Sequence, residues 1–366
     1  MRRSVARLRY RRRLPLVEFP AASGVGAEIP LVSIIVATFN RSNVLAITLE
    51  SVRAQTVTDW EVLVVGDHCT DDTQEVVQSL HDPRIRFVNL PANLGDQSGP
   101  NSIGARMARG RYLAWLNHDD LWFPDHLETL LHELQAQDAD LAVAGCFRIF
   151  GLDEHDGSVS GLVHAPVPAR PLQMARGDVF LASCWLMSRQ LAGRLGDWRP
   201  AGSVRYASSQ QYFYRAWSSG ARIVLGQQRS VVIVPSIAHE GAYATRRDAE
   251  HRIAARLVRA GDRAAFARLI APGSELLTSP VLELPVSKRR RGPLGRWMIR
   301  HRERIFASSA PMAVRLGVAP WEYAAMLVGF PRGGLNARLR AERGLAPARS
   351  SRAPTSRVQS SQVNEN

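Results

Sequence analysis

The sequence predicts an α/β fold of three layers, in which helices cover both faces of a mostly parallel central sheet, followed by a helical, basic C-terminal appendage. From residue 31 onward, short apolar runs alternate with amphipathic segments. The first run, 32–37, is continuously apolar and β-branched, as is typical of a strand buried on both faces of a parallel sheet. Thr38, Asp67 and Asp119 follow the first, second and fourth runs. Because ligands bind at the carboxyl ends of such strands, we expect these side chains to converge on one crevice.

Each predicted element has a local signal. The predicted strands are 32–37, 61–65, 85–90, 112–117, 141–146 and 231–234. The predicted helices are 42–55, 72–80, 100–109, 124–134, 248–260 and 263–270. Ser42 is a favourable N-cap, and Asp72 with Glu75 forms a capping box. The helix 100–109 has small residues that allow close approach to the sheet, and Gly110 ends it.

Two adjacent carboxylates, Asp119 and Asp120, end the apolar run 112–116. Buried acids persist only if a cation or hydrogen-bond donors neutralise them. Carboxylate oxygens suit Mg²⁺ or Mn²⁺, which commonly bridge one or two carboxylates to substrate phosphates. The alternative is that both acids cap the helix that begins at Pro124, since acids are favoured near helix N-termini.

Composition excludes several classes of protein. The chain has 366 residues with 45% hydrophobic content, which is enough for a large globular core. Its three cysteines show no CxxC spacing and are odd in number, so neither a disulfide framework nor a zinc site is expected. No apolar run approaches the roughly 18 residues of a membrane span. Glu18 and Pro20 stand where a signal peptide needs its apolar segment, and we therefore expect a cytoplasmic protein.

The formal net charge of +14 is concentrated at the two ends of the chain. Residues 1–31 carry seven arginines and two acids, residues 281–366 carry sixteen basic residues and five acids, and residues 32–280 are nearly neutral. A domain that grips nucleic acid should itself be basic, so no nucleic-acid partner is expected. Basic ends suit peripheral binding to an anionic membrane surface at its inner face, whereas solvated disordered tails are the alternative, which we favour for residues 346–366. Residues 294–306 mix apolar and arginine side chains and suit either a lipid interface or a small helical domain packed on the body.

Taken together, these stretches resemble the family 2 glycosyltransferases, inverting enzymes of the GT-A fold that use nucleotide-diphosphate sugars. The resemblance covers approximately residues 31–240. Its motifs are VSIIVATFNR at 32–41, SVRAQT at 51–56, WEVLVVGD at 60–67, TDDT at 70–73, NLG at 93–95, ARGRY at 108–112, and NHDD at 117–120 with Pro124. Each motif is weak alone, but their order and spacing together are specific.

The resemblance implies a role for each matching residue. The nucleotide-sugar site would comprise Ala37, Thr38, Phe39, Asn40, Asp67, Asn117, His118 and Asp119. Asp67 would accept a hydrogen bond from the base, although an Asx-turn is the alternative for this residue. Asp119 would lie near the ribose and sugar-phosphate. Asp120 would bind a divalent metal, Mn²⁺ or Mg²⁺, and His239 would lie near the metal or diphosphate, with an ordinary loop histidine as its alternative.

Some positions depart from the family pattern. Gly66 and Asn117 stand where the family usually has acids. The acid that serves as general base in the family falls on Ser209 or on Gln211, and neither side chain accepts a proton near neutral pH. Two explanations remain open: Asp197 substitutes as the base, or the protein binds donor without efficient transfer. Arg215, one helical turn beyond Gln211, would face the acceptor or, alternatively, solvent.

The resemblance also divides the chain. The divisions are a basic tail at 1–30, a glycosyltransferase domain at 31–245 with a nucleotide-sugar half (31–147) and an acceptor half (148–245), a helical basic region at 246–345, and a disordered tail at 346–366. We expect the enzyme to move a sugar, with inversion, to a hydroxyl of a glycan or lipid-linked acceptor. The alternative is a non-catalytic donor-binding protein of glycan assembly.

Overall fold

The computed structural model describes Leu14 and six longer stretches of the chain: residues 29–152, 159–164, 180–235, 242–269, 311–327 and 331–345. Within these stretches, strands and helices alternate from residue 32 to residue 115, as the periodicity predicts; a short strand at 121–122 then precedes the helix at 126–136. Several segments discussed above lie outside the described residues. They are the N-terminal tail, apart from Leu14 and residues 29 and 30, the segment 294–306 and the tail 346–366.

A single sheet forms the centre of the molecule. Its strands are β1 (Val32–Thr38), β2 (Trp60–Gly66), β3 (Ile85–Asn89), β4 (Tyr112–Trp115), β5 (Leu121–Trp122), β6 (Leu141–Leu152), β7 (Val159–His164), β8 (Trp185–Ser188) and β9 (Ile223–Ile233). The order across the sheet is β3-β2-β1-β4-β8-β6-β9-β5, and β7 pairs with β6 outside this path. Strands β1 and β4 are therefore neighbours at the middle of the sheet.

The two halves of the sheet differ in strand direction. Strands β1 to β4 are all parallel, as expected for strands joined through helices. Strand β8 is antiparallel to both β4 and β6, and β5 and β7 are also antiparallel to their partners, whereas β6 and β9 are parallel. The sheet is thus mixed rather than mostly parallel. The reason is that β8 enters between two strands that precede it in the chain, without a regular strand–helix–strand crossover.

Helices surround this sheet. They are α1 (Ser42–Arg53), α2 (Thr73–Ser79), α3 (Ser98–Met107), α4 (His126–Ala136), α5 (Arg189–Leu195), α6 (Ser208–Ser218), α7 (Ala242–Thr245), α8 (Ala249–Arg259), α9 (Arg263–Leu269), α10 (Pro320–Leu327) and α11 (Gly334–Glu342). The predicted close approach of α3 to the sheet is confirmed, because a Cβ placed on Gly104 would lie 2.5 Å from Ile35 Cγ2. Any side chain at this glycine would push the helix away from β1.

The described C-terminal helices are part of the main core. Trp321, Ala324 and Ala325 of α10 are buried in the same apolar cluster as β1 and β2. Glu322 accepts backbone N–H groups from Arg205 at 2.8 and 3.0 Å and from Tyr206 at 3.2 Å. This part of the basic C-terminal region therefore packs on the body. Among the described residues, no helix is long and apolar enough to span a bilayer.

Candidate active site at the strand ends

The carboxyl ends of β1, β2 and β4 lie together, as the strand order requires. The backbone N–H of Asp67, just after β2, donates to the carbonyl of Thr38 at 2.8 Å. His118, after β4, has its Nδ1 3.3 Å from the carbonyl of Ala37. The three polar segments predicted to converge therefore border one site, which we call the strand-end site.

Asp67 is a buried carboxylate that organises the loop after β3. Its Oδ1 accepts the N–H of Leu94 at 2.6 Å, and its Oδ2 accepts the N–H of Gly95 at 3.0 Å. Burial raises the pKa of Asp67 to about 6, although both amide donors oppose the shift. Each carboxylate oxygen can accept more than one hydrogen bond, so the carboxylate keeps capacity for a base. These bonds reach 27 and 28 residues along the chain and are not those of the Asx-turn that was the alternative for Asp67.

The residues after β1 are arranged by local contacts. Asn40 has a positive φ of 40° and joins two loops, because its Oδ1 accepts the N–H of Thr70 at 2.7 Å and its Nδ2 donates to Thr70 Oγ1 at 3.1 Å. Thr38 Oγ1 is buried and has no hydrogen-bond partner among the described residues. Phe39 lies 6.4 Å, between ring centroids, from Tyr243. Thr38 thus offers a polar atom to a ligand, while the Asn40 side chain is engaged in the loop contact.

A glycine replaces the first family acid after β2 for a visible reason. A Cβ on Gly66 would lie 2.7 Å from Asn89 Oδ1. The Asn89 side chain binds both the N–H and the carbonyl of Cys69, at 2.8 Å each. A larger residue at position 66 would therefore displace the side chain that holds this loop.

Asp120 is the inner carboxylate of the acidic pair. Its Oδ2 accepts Asn117 Nδ2 at 2.8 Å and Ser183 Oγ at 2.5 Å, and its Oδ1 accepts the N–H of Val234 at 3.3 Å. Burial, followed by the charge of Asp119, raises the pKa of Asp120 to about 7. These bonds link β4, the segment before β8 and the end of β9, so Asp120 holds three chain segments together.

Asp119 is the carboxylate that remains available. Among the residues that the structure describes, no side chain or backbone group donates a hydrogen bond to it. Burial would raise the pKa of Asp119, but four neighbouring groups outweigh burial and hold the pKa below its ordinary value. These groups are His118, His251, Arg343 and Arg41. The resemblance implies the metal at Asp120, and this stays a prediction; Asp119 accepts fewer hydrogen bonds among the described residues and is the more open of the two carboxylates.

Arginine, histidine and tyrosine side chains lie near Asp119, and no sequence pattern singled out this group. His251 of α8 is buried, and neither ring nitrogen has a hydrogen-bond partner within the described stretches. Burial lowers the pKa of His251 to about 4. Arg41 is buried beside Tyr243, with its guanidinium carbon 5.4 Å from the ring centroid, and Tyr243 Oη lies 3.5 Å from His118 Nε2. Arg41 lies within a family motif, but no local pattern marks Tyr243 or His251, because they reach the site from far along the chain.

The residues at the strand-end site fit a divalent ion in part. No group of three or more His, Cys, Asp or Glu side chains arranged to hold a metal occurs in the described part of the chain. Asp119 nevertheless supplies a hard oxygen ligand with no hydrogen bond of its own. Mg²⁺ and Mn²⁺ sites commonly use one or two carboxylates and take their other ligands from phosphate and water, so a three-residue cage is not required. His239 lies outside the described residues.

The predicted acceptor residues belong to a tightly buried helix. Ser209 and Gln211 of α6 are both buried, and Gln211 Oε1 has no hydrogen-bond partner among the described residues. Arg215 is also buried, and it donates to the carbonyls of Leu195 and Asp197 at 2.6 Å each. The solvent-facing alternative for Arg215 is wrong because the residue is buried, and its guanidinium ties α6 to the segment after α5; the acceptor role stays a prediction.

Asp197 is held in an ion pair on α3. Arg106 donates from its Nε at 3.0 Å and from its Nη2 at 2.5 Å to the two carboxylate oxygens of Asp197. Arg106 lies in the last turn of α3, whereas the Asp67 loop precedes the first turn. The prediction that Asp197 is the general base gains no support from this placement, since both oxygens are engaged with a guanidinium at the opposite end of the helix.

Comparison with known families agrees with this geometry. Residues 33–195 match the family described as glycosyl transferase family 2. This segment contains β1 to β8, the acidic pair and Asp67. Residues 33–195 are therefore similar to the family 2 glycosyltransferases, and the predicted family resemblance and α/β fold are confirmed.

Individual relatives match over part of their length. The chain is 34% identical over 140 residues to the putative teichuronic acid biosynthesis glycosyltransferase TuaG of Bacillus subtilis, which is 37% of this chain and 54% of the relative. It is 31% identical over 107 residues to the Escherichia coli UDP-Glc:alpha-D-GlcNAc-diphosphoundecaprenol beta-1,3-glucosyltransferase WfaP, 29% of this chain and 42% of the relative. The matches thus span about half of these relatives or less. A crystal structure of S. aureus TarS 1–349 in complex with UDP is 17% identical with a TM-score of 0.48, covering 86% of this chain and 90% of TarS.

Proposed function

We propose that the protein is a glycosyltransferase that moves a sugar from a nucleotide-diphosphate donor to a hydroxyl of a glycan or lipid-linked acceptor, with inversion and with a divalent metal. The observation that carries the proposal is the acidic pair of a family 2 domain, in which Asp120 is fixed by hydrogen bonds and Asp119 is left open beside cationic groups. The names of the two relatives, a glycosyltransferase of teichuronic acid biosynthesis and a glucosyltransferase, support the reaction class.

In this proposal each side of the site has its own task. Thr38 Oγ1 and the Asp67 carboxylate would bind the ribose and base, because both are polar groups at the ends of β1 and β2. Asp119 would face the diphosphate. Asp120, which is fixed by its bonds to Asn117 and Ser183, would orient Asp119. Two carboxylates would repel a diphosphate by themselves, so this arrangement suits a diphosphate that is bound together with a cation.

We expect Asp119 to hold a divalent ion. The family resemblance implies Asp120 for the same role. When bound, the ion neutralises the charge of the departing diphosphate, so that no side-chain acid is needed on that side. His251 is a neutral, buried imidazole near Asp119 and supplies a nitrogen without an internal partner among the described residues. The acceptor side is less complete, since Ser209 and Gln211 provide no carboxylate.

The absence of an acid at positions 209 and 211 favours a second candidate function. A protein that binds the donor without transferring the sugar would keep the strand-end site but would lack a proton acceptor at these two positions. General-base help typically contributes about 10²–10⁴-fold, so its loss slows an enzyme without abolishing the contribution of positioning. Turnover of a donor sugar, sensitive to substitution of Asp119 or Asp120, would exclude this second function.

Donor binding tests the proposal directly. Calorimetry with UDP, GDP and dTDP, each with and without Mn²⁺, should show metal-dependent binding of at least one nucleotide to the parent protein. Asp119→Ala should weaken that binding more than Asp120→Ala if Asp119 faces the diphosphate, and the reverse order would restore the assignment made from the sequence. If the parent binds none of the three nucleotides with Mn²⁺, the proposal is wrong.

For location, we propose peripheral association with the inner face of the membrane from the cytoplasm. The support is the charge distribution, in which residues 1–31 and 281–366 carry the whole excess of basic residues. Each cation near an anionic surface contributes about 1 kcal/mol. Flotation with vesicles that contain anionic lipid should therefore retain the full chain at low salt, and retention that is equal on neutral vesicles would contradict the electrostatic account.

A further inference from the structure

The helix α11 docks on the loop that holds Asp67. Asn336 Nδ2 and Arg340 Nη1 donate to the carbonyl of Gly95 at 3.3 and 3.0 Å. The N–H of the same glycine donates to Asp67. A segment about 240 residues further along the chain is thereby fixed at the edge of the strand-end site.

Arg343, the residue that follows α11, extends from this docked helix toward the acidic pair. Its guanidinium carbon lies 5.8 Å from the ring centroid of Tyr243. The hydroxyl of Tyr243 lies 3.5 Å from Nε2 of His118, the residue before Asp119. The side chain therefore belongs to the surroundings of Asp119, although it was outside the family resemblance.

Arg343 is not committed to an internal anion. Its Nε is buried and has no hydrogen-bond partner, and no carboxylate forms an ion pair with it within the stretches that the structure describes. By contrast, Arg340, one turn earlier, donates to Gly95, and Arg205 pairs with Glu322 at 3.5 Å. A buried donor of a charged group without a partner is costly, so a group that completes it is expected.

The charge around Asp119 favours a strongly anionic ligand. The guanidinium carbons of Arg41 and Arg343 lie 5.4 and 5.8 Å from the same Tyr243 ring centroid. Two guanidinium groups therefore lie close together near the acidic pair. Guanidinium groups are planar forks that match phosphate oxygens, and they are preferred where phosphate is bound.

We propose that Arg343, presented by the docked helix α11, binds the diphosphate of the nucleotide-sugar donor. The inference rests on the proposed function and adds to it the part of the site that binds the leaving group. It also gives the C-terminal segment 331–345 a binding role beyond packing. A purely structural role for Arg343, limited to its contact with the Tyr243 ring, is the competing explanation.

The test compares ligands that differ only in phosphate content. The probes are UDP, GDP and dTDP with Mn²⁺, and uridine, guanosine and thymidine under the same conditions, titrated into the full chain. Arg343→Gln should weaken binding of the preferred diphosphate at least about tenfold, as expected for loss of a charge-assisted hydrogen bond, and leave any binding of the matching nucleoside within about twofold. Arg343→Lys should recover part of the loss, because it restores the charge without the fork. Arg338→Gln, an exposed arginine on the same helix, is the matched control and should bind as the parent does.

The outcomes separate the two proposals. If the parent binds a diphosphate and Arg343→Gln binds it equally well, the role of Arg343 is overturned while the glycosyltransferase proposal stands. If Arg343→Gln loses diphosphate and nucleoside affinity by the same factor, together with a lower Tm, the structural explanation replaces ours. If the parent binds no nucleotide diphosphate, the proposed function fails and the inference fails with it.

Discussion

At the scale of single residues, the acidic pair shows how two adjacent side chains acquire different tasks. Asp120 accepts three hydrogen bonds and has a pKa raised to about 7 by burial, whereas the pKa of Asp119 is held low by nearby cationic groups. Environment, not residue type, distinguishes the two carboxylates. Asp120, the inner acid, holds neighbouring chain segments in position, and Asp119, the outer acid, is available to a ligand.

This division predicts that two alanine substitutions affect different properties: one mainly stability, the other mainly donor binding. Asp120→Ala leaves Ser183 and Asn117 without their acceptor and should lower the free energy of unfolding by about 2 kcal/mol or more. Asp119→Ala removes no hydrogen bond among the described residues and should cost less stability, while it weakens donor binding at least about tenfold. Urea denaturation and calorimetry on both variants measure the two effects. Equal losses of stability would contradict the division of roles.

Asp67 gives a pH-dependent prediction. Its pKa is about 6 in the folded chain against 3.8 for an ordinary aspartate, so the unfolded chain releases this proton first. Between those two values the folded state binds more protons, and the contribution of Asp67 to stability therefore falls as pH rises from about 4 to 6 and is constant above. The change is on the order of 1–3 kcal/mol.

Urea midpoints of the parent and of Asp67→Asn, measured from pH 4 to pH 8, isolate this contribution. The difference between the two proteins should change across the window from about pH 4 to 6, because asparagine does not titrate. Asparagine also cannot accept both loop amides, so the variant should be less stable than the parent at pH 7. A difference that is independent of pH would show that the Asp67 pKa is not raised.

Asp197 tests the sequence-based assignment of the base. Because Arg106 holds both of its carboxylate oxygens, we expect Asp197→Asn to lower turnover less than about tenfold, with a modest loss of stability from the broken pair. A general base would instead cost about 10²–10⁴-fold in turnover at unchanged donor affinity. Transfer assays with the same donor and acceptor for parent and variant distinguish the two roles, and a loss in the larger range would return Asp197 to the active site.

At the scale of elements, the first half of the sheet follows directly from the sequence. Strands β1, β2 and β4 were predicted within two residues of their observed ends, because each is a short apolar run ended by polar residues. The second half was not predictable in the same way. Strand β8 pairs antiparallel with both β4 and β6, and such pairing depends on contacts between distant segments rather than on local periodicity.

The same limit applies to the site. Asp67, Asp119 and Thr38 could be predicted, since each follows a recognisable strand. His251 and Arg343 could not, because each lies in or beside an ordinary helix. They come near the site only when α8 packs against α1, β5 and β6 and when α11 docks on the Asp67 loop. Their signal is a three-dimensional one: buried polar nitrogen without an internal partner in the described chain.

Helix α10 provides a prediction at this scale. The Glu322 carboxylate accepts the N–H groups of Arg205 and Tyr206 and thereby fixes the segment between α5 and α6. Glu322→Gln replaces one acceptor oxygen with a donor and should lower the free energy of unfolding by about 1–3 kcal/mol. Glu50→Gln is the matched control, because Glu50 pairs with Arg53 on an exposed helix surface, and such pairs contribute about 1 kcal/mol or less. Equal effects in the two variants would contradict the anchoring role of Glu322.

At the scale of the whole molecule, the described C-terminal helices α10 and α11 pack on the body. Trp321 is buried against Tyr206 and Tyr214, with ring centroids 6.4 Å apart in both pairs. Trp321→Ala should cost about 3–5 kcal/mol, as large-to-small changes in a core do. Because α11 follows α10 closely and docks on the Asp67 loop, donor affinity should fall together with stability. Unchanged donor affinity in a destabilised variant would show that the strand-end site is complete without the C-terminal helices.

The central claim is that the ends of β1, β2 and β4, closed by α11, form one site for a nucleotide diphosphate. A crystal structure of the full chain with the preferred nucleotide diphosphate and Mn²⁺ tests it most directly. The account predicts the diphosphate between Asp119 and Arg343, with the nucleoside beside Thr38 and Asp67. A nucleotide bound on another face of the sheet, or a diphosphate that touches neither Asp119 nor Arg343, would contradict it.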